Sequence, residues 1–325
     1  MEISAKMELP VWRHLVKTER DRRAFLKGSL AAATGLGLTV SETVFAKAPA
    51  WAAEPSTNRI PRRPLGKTGH QVSIYGLGGL FTLARHDRHD QAVEIVKRAL
   101  DLGVNYIDTS AFYGDGASEL NIGTVVGKRR AEVFLASKSH NYTYDGTMAL
   151  IEQSLRRLQT KYIDLYQHHF LGKLGTLEQL RQKNSARQAF ERLRDQGVIR
   201  YIGVTGHSSR VLADALDDYP YDCALITLNA AREAMDDPED LDRFFRLAQE
   251  KEVGVIAMKV VERGALIKRG LDIRQLLPYV LSYPVATAIV GISDIAHLEE
   301  NVRVASAFEQ FSEEEMAEIR EFAKS

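Results

Sequence analysis

From Val72 to the end of the chain two patterns take turns. Short runs rich in β-branched and aromatic residues are followed by longer segments whose apolar residues recur three and four positions apart. The runs predict strands near Val72–Leu77, 104–108, 133–137, 162–168, 201–205, 223–228, 253–260 and 286–290. The periodic segments predict helices at 90–102, 118–128, 147–158, 186–196, 210–216, 238–251 and 273–282, with two more at 295–308 and 313–323 closing the chain. Gly103 supplies a helix stop, and Pro238 sits where a first helical turn tolerates it. Ahead of these elements, the turn Gly66-Lys67-Thr68-Gly69 between two short extended pieces predicts a hairpin. Eight strand-and-helix units predict a single (β/α)8 TIM barrel, an α/β fold, over residues 59–325, with an N-terminal β-hairpin and a C-terminal helix. A doubly wound sheet is the competing arrangement, but Gly76-Leu77-Gly78-Gly79 lacks the last glycine of its dinucleotide fingerprint and no helix follows at once.

Three successive strands end on functional groups. Asn105–Tyr113 (NYIDTSAFY) carries Asp108 and Tyr113, Glu132–Lys138 (EVFLASK) ends in Lys138, and Tyr162–Phe170 (YIDLYQHHF) delivers a pair of histidines. In a barrel these ends converge at one mouth. A phenol is a poor acid or base at neutral pH, and a nearby ammonium lowers its pKa. An aspartate would hold that lysine charged, and a histidine would orient a carbonyl oxygen. Such a set suits proton exchange at a carbonyl or alcohol oxygen while hydride moves on carbon.

Composition narrows the alternatives. Forty-three basic residues balance forty-three acidic ones without a dense basic run, so nothing supports nucleic-acid binding. The one cysteine, Cys223, excludes an internal disulfide and a thiolate metal cluster, and its apolar context DCALITL reads as core. His86-Asp87-Arg88-His89 offers too few ligands for a metal, and none is expected. Residues 1–54 read as a separate unit. RDRRAFLKGSLAAATGLGL resembles a twin-arginine export signal with Arg22 and Arg23 as the pair, and KAPAWAAEPS offers small-residue cleavage choices that place a mature start between Pro49 and Pro55. The apolar stretch is too short for a stable membrane span. This implies export by the twin-arginine machinery and a periplasmic location.

From Arg63 to Phe322 the sequence resembles the aldo-keto reductase superfamily. The contexts IDTSAFYG, LASK and DLYQHH place the family's catalytic tetrad on Asp108, Tyr113, Lys138 and His169, the last selected over His168 by the spacing from Asp164. The resemblance implies a nicotinamide cofactor, NADP(H), lying extended across the barrel mouth. It implies cofactor contacts at Gly79, at Thr205 and Gly206 after the fifth barrel strand, at Asn229, at Lys259, and at Gly291, Ser293, Glu300 and Asn301 in AIVGISDIAHLEENV. A helix N-terminus near Asp294 would add N–H groups for phosphate. Gly291 and His297 stand where basic residues for the 2′-phosphate are common, so NAD is the alternative cofactor. Leu225 and Leu228 stand where an amide and a stacking tyrosine are usual, with Asn229 or His207 as replacements for the carboxamide. The substrate implied is a small carbonyl compound or alcohol. A barrel of this kind acting as a nucleotide-binding redox sensor or scaffold is the rival. LGKLGTLEQLRQKN, just after His169, is placed to wall the substrate mouth.

Overall fold

The computed structural model describes residues 60–324, so the leader and linker expected in residues 1–54 lie outside them. Eight parallel strands close into a barrel: β3 (Tyr75–Gly78), β4 (Tyr106–Asp108), β5 (Phe134–Ser139), β6 (Ile163–Leu171), β7 (Ile199–Gly206), β8 (Cys223–Thr227), β9 (Gly254–Met258) and β10 (Thr287–Gly291), with β10 pairing back onto β3. The hairpin pairs β1 (Arg62–Pro64) with β2 (Gln71–Ser73) in antiparallel register.

The stretch Val72–Leu77, expected as one strand, is two: its start belongs to the hairpin and Tyr75 opens the barrel, with Ile74 between them. Both halves carry β-type residues, so composition does not mark the break. Expected helix ends move by a few residues. Tyr144–Arg157 begins earlier than its apolar spacing implies because the Thr143 hydroxyl caps it, accepting the Gly146 amide at 3.2 Å. Pro238–Asp240 is a 3-10 turn that leads into the helix Leu241–Glu250. Two short helices, Leu177–Arg181 and Ala265–Lys268, are additional to those expected. The last helix, Glu313–Lys324, buries Met316, Ile319 and Ala323.

Alternation along the strands sorts side chains into two cores. Tyr106, Phe134, Leu165, Cys223, Leu225, Ile256 and Ile289 fill the barrel, while Ile107, Leu135, Tyr166, Val204 and Ile226 face the helices. Leu65 and Val72 of the hairpin join the inner set, closing the N-terminal end. Gly66 makes that seal possible. Its φ is +51°, and a Cβ there would lie 2.3 Å from the Gly254 nitrogen. Tyr201 pins the hairpin further, donating from its hydroxyl to the Thr68 carbonyl at 2.6 Å. With one end sealed, the C-terminal mouth is where side chains from neighbouring strands meet solvent. No helix among the described residues is long and apolar enough to cross a membrane, and no group of three potential metal ligands occurs among them.

Candidate active site

Asp108 ends β4, and Lys138 lies one residue before the end of β5. Both side chains point into the barrel, at 1% and 0% exposure, and form an ion pair. Lys138 also donates to the Thr109 carbonyl at 2.7 Å and reaches the Tyr113 hydroxyl at 3.4 Å. Gln167, inward on β6, donates to the other Asp108 oxygen at 3.3 Å. Burial pushes the Asp108 carboxyl up, against the pull of Lys138 and Gln167. Burial alone would drive the Lys138 amine down, but Asp108 and Tyr113 hold it above its ordinary value. The ammonium is the form this geometry supports, because each of its three hydrogens has an acceptor: Asp108, Thr109 and Tyr113.

Tyr113 opens the turn after β4, which the left-handed Gly114 and Asp115 bend over the mouth. The sequence led us to expect a lowered phenol pKa. In the structure, burial pushes it up and outweighs the opposing pull of Lys138. Tyr113 therefore keeps its proton at neutral pH. Since its oxygen accepts from Lys138, its own O–H is left to donate.

The two histidines of β6 face opposite ways. His168 points toward the helices, its ring stacked 4.0 Å from that of Phe190. His169 points into the mouth, its ring edge-on to Tyr113 at 5.7 Å. Its Nδ1 lies 3.2 Å from the Ser110 hydroxyl, which also accepts the Phe112 amide. When Ser110 gives its hydrogen to Nδ1, the imidazole carries its own hydrogen on Nε2. Burial, aided by Lys138, holds His169 well below the ordinary imidazole range, and it is neutral at physiological pH.

Two adjoining cavities run from this corner across the mouth. The inner one is lined by Gly79, Asp108, Tyr113, Met258, Lys259 and Gly291. The outer one, about 420 Å³, is lined by Gly291, Ser293, Glu300 and Asn301 together with Arg263 and Lys268. Phe81, Val261, Arg263 and Val290 border both. The result is an extended groove, of the form a dinucleotide requires. Gly79 is fixed by packing as well, because a Cβ there would meet the Asp108 carbonyl and the Ser118 hydroxyl at 2.6 Å. Thr205 points inward and is fully buried, with no partner for its hydroxyl.

Several expected contacts are not brought to the groove. Gly206 faces the helices, toward Leu212. Asn229 closes a tight turn, donating to the Glu233 carbonyl at 2.8 Å and accepting its amide at 3.1 Å. Its amide is thus already engaged. His207 bonds the Ala234 carbonyl through Nδ1 at 3.0 Å. Leu228 packs in the outer core and faces no cofactor, whereas Met258 lines the cavity beside Tyr113. At the helix N-terminus, Asp294 already accepts the His297 amide at 2.9 Å, so that end offers one N–H fewer to a phosphate and a carboxylate beside it.

Sequence reasoning missed Arg263 and Lys268. Both lie in VERGALIKRGL, where residues 262–264 all have left-handed backbones. The signal was present as two basic residues after the seventh barrel strand, opposite a segment short of them. Their charges make the outer cavity fit a phosphate-bearing ligand.

Residues 74–278 match the aldo/keto reductase family. An uncharacterized oxidoreductase of Bacillus subtilis, YqkF, is 28% identical over 312 residues, which is 81% of this chain and 96% of the relative. Among solved structures, the holo form of aldo-keto reductase AKR11C1 from Bacillus halodurans is 28% identical with a TM-score of 0.68, covering 81% of this chain and 96% of its own. An aldo/keto reductase from Klebsiella pneumoniae solved with NADP and acetate is 25% identical with a TM-score of 0.64, covering 80% and 94%. With a closed parallel barrel, a groove fit for a dinucleotide and this match over most of its length, the chain belongs to the aldo/keto reductase family and is an NAD(P)H-dependent oxidoreductase of carbonyl groups.

Proposed function

We propose that Tyr113 is the proton donor in the reduction of an aldehyde or ketone, and the acceptor when the alcohol is oxidised. The observation that carries this role is the Tyr113 hydroxyl, protonated at neutral pH, 3.4 Å from a lysine ammonium and beside the edge of a neutral histidine. A substrate oxygen between Tyr113 and His169 accepts from the phenol and from Nε2 of the imidazole. When bound, the cofactor supplies the hydride. As the carbonyl oxygen gains negative charge, Tyr113 releases its proton to it. The Lys138 ammonium, held by Asp108 and Thr109, stabilises the phenolate that remains. The product alcohol leaves with one proton from Tyr113 and one hydride.

Arg263 and Lys268 give NADPH a means of recognition that the 291–301 segment lacks, and they support NADPH over NADH. The rival reading, a barrel with little turnover, drew on Leu225 and Leu228 at the nicotinamide end. Leu228 faces the outer core, so half of that support is gone. The deciding test is absorbance at 340 nm on adding an aldehyde to the protein with NADPH. Decay that Tyr113→Phe removes supports the enzyme, and bound cofactor that never oxidises supports the rival.

We further propose, from the sequence alone, that Arg22-Arg23 and the apolar segment behind them direct twin-arginine export, and that the barrel works in the periplasm. Replacing both arginines by lysine should retain the protein in the cytoplasm on fractionation. Equal periplasmic recovery of variant and parent would count against this address.

A further inference from the structure

Beyond His169 the mouth carries a charge that the reaction does not use. The chain leaves β6 through a tight turn in which Gly172 donates to the Gly175 carbonyl at 2.8 Å, and Lys173 and Leu174 both donate to the Phe170 carbonyl at 3.3 and 3.1 Å. This turn fixes Lys173 over the Phe170 ring, its Nζ 5.8 Å from the centroid. Phe170 in turn stacks on His207 at 4.7 Å and lies 6.1 Å from His169. Lys173 is near enough to His207 and Lys259 to act on the charge of each. The acids facing this cluster are engaged elsewhere: Glu262 sits 3.9 Å from Lys259, and Asp236 acts on His207. Among the described residues no carboxylate pairs with Lys173. Phe112, 55% exposed and edge-on to both His140 and His169, adds an apolar face beside His169.

Resting on the carbonyl-reductase reading of the same mouth, we propose that the substrate is a carbonyl compound carrying a carboxylate, with the carboxylate held by Lys173 and the carbonyl between Tyr113 and His169. One ammonium with no carboxylate partner among the described residues matches a monoanion. Phe170 is the neighbour both ends share, 6.1 Å from the His169 ring and 5.8 Å from the Lys173 ammonium, so a benzene-sized body between the two substrate groups is the span to probe. Phe112 and Phe170 then cover the apolar body between them.

The test compares 4-carboxybenzaldehyde with its neutral methyl ester, methyl 4-formylbenzoate, under NADPH. The parent should show kcat/KM about tenfold higher for the carboxylate, mostly through KM, as a charge-assisted contact supplies. Lys173→Gln should remove that preference and Lys173→Arg should keep it. Equal values for the two aldehydes in the parent, or a preference that survives Lys173→Gln, would overturn the proposal. Calorimetric titration of both aldehydes into Tyr113→Phe protein loaded with NADPH, with and without Lys173→Gln, reads binding apart from turnover. If no aldehyde is turned over, the carbonyl-reductase reading fails, and this titration alone decides the carboxylate site. Tighter binding of the carboxylate that depends on Lys173 supports the site, and indifference to charge overturns it.

Discussion

The Ser110 hydroxyl lies 3.2 Å from Nδ1 of His169 and accepts the Phe112 amide at the same time, and a hydrogen given by this serine to Nδ1 would keep the imidazole hydrogen on Nε2. Ser110→Ala should free the tautomer and lower kcat/KM for aldehyde reduction by about tenfold, the scale of one lost hydrogen bond at a positioning residue. Nitrogen chemical shifts of His169 would report the tautomer directly, and an unchanged Nε2–H population in the variant would remove this role from Ser110.

Tyr113→Phe removes the hydroxyl assigned as the proton donor. Turnover should fall by about 10²–10⁴-fold, with the affinity for NADPH in calorimetric titration unchanged. A variant that turns over at the parent's rate would assign the proton elsewhere.

The pH profile follows from two directions. Burial raises the Tyr113 phenol, which donates in its protonated form, so reduction should hold level through neutral pH and decline only above about pH 10. His169 is pushed well below the imidazole range and acts neutral, so no loss should appear near pH 6. A kcat/KM limb titrating between about pH 6 and 8, where an unperturbed histidine would lie, contradicts this assignment.

Lys138→Met leaves the Asp108 carboxyl without its ammonium partner in a site with 1% exposure. We expect a loss of about 3–5 kcal/mol in unfolding free energy, the cost of breaking a buried pair on one side. Adding Asp108→Asn should recover much of it. If the single variant is as stable as the parent in urea titration, the pair contributes little to the fold.

His168 gives a stability prediction of the same sign as that of a paired acid, but in a higher pH window. Burial lowers its pKa to about 3, against about 6.5 in the unfolded chain. Between these values the unfolded state binds the proton and the folded state does not. Its neutral form therefore supports the fold above about pH 6.5, and that support is lost as pH falls toward 3. His168→Phe should flatten the fall of Tm with pH in this window, and an unchanged slope would mean another group governs acid unfolding.

Asp108, Lys138 and His169 were legible because each sits near the end of a strand, Tyr113 through its context IDTSAFYG, and the spacing from Asp164 selected His169 over His168. The barrel was legible because eight alternations leave few other closures. Positions just past a strand end were not. Leu228 follows β8 and turns outward, Met258 ends β9 and turns inward, and one residue of register decides between the two faces. Asn229 carries the right chemistry, but the turn to Glu233 occupies its amide, and that contact joins backbone atoms the apolar pattern does not show. Arg263 and Lys268 reach the groove through a left-handed loop, a conformation no periodicity announces.

The hairpin that seals the barrel floor sets a limit on how far the chain can be trimmed from its start. Leu65 and Val72 belong to the same inner core as Leu225 and Ile289. A protease that cuts past Leu65 uncorks this core and lets water reach Tyr106 and Phe134 from below. The limit to trimming thus falls on the face of the barrel opposite the chemistry.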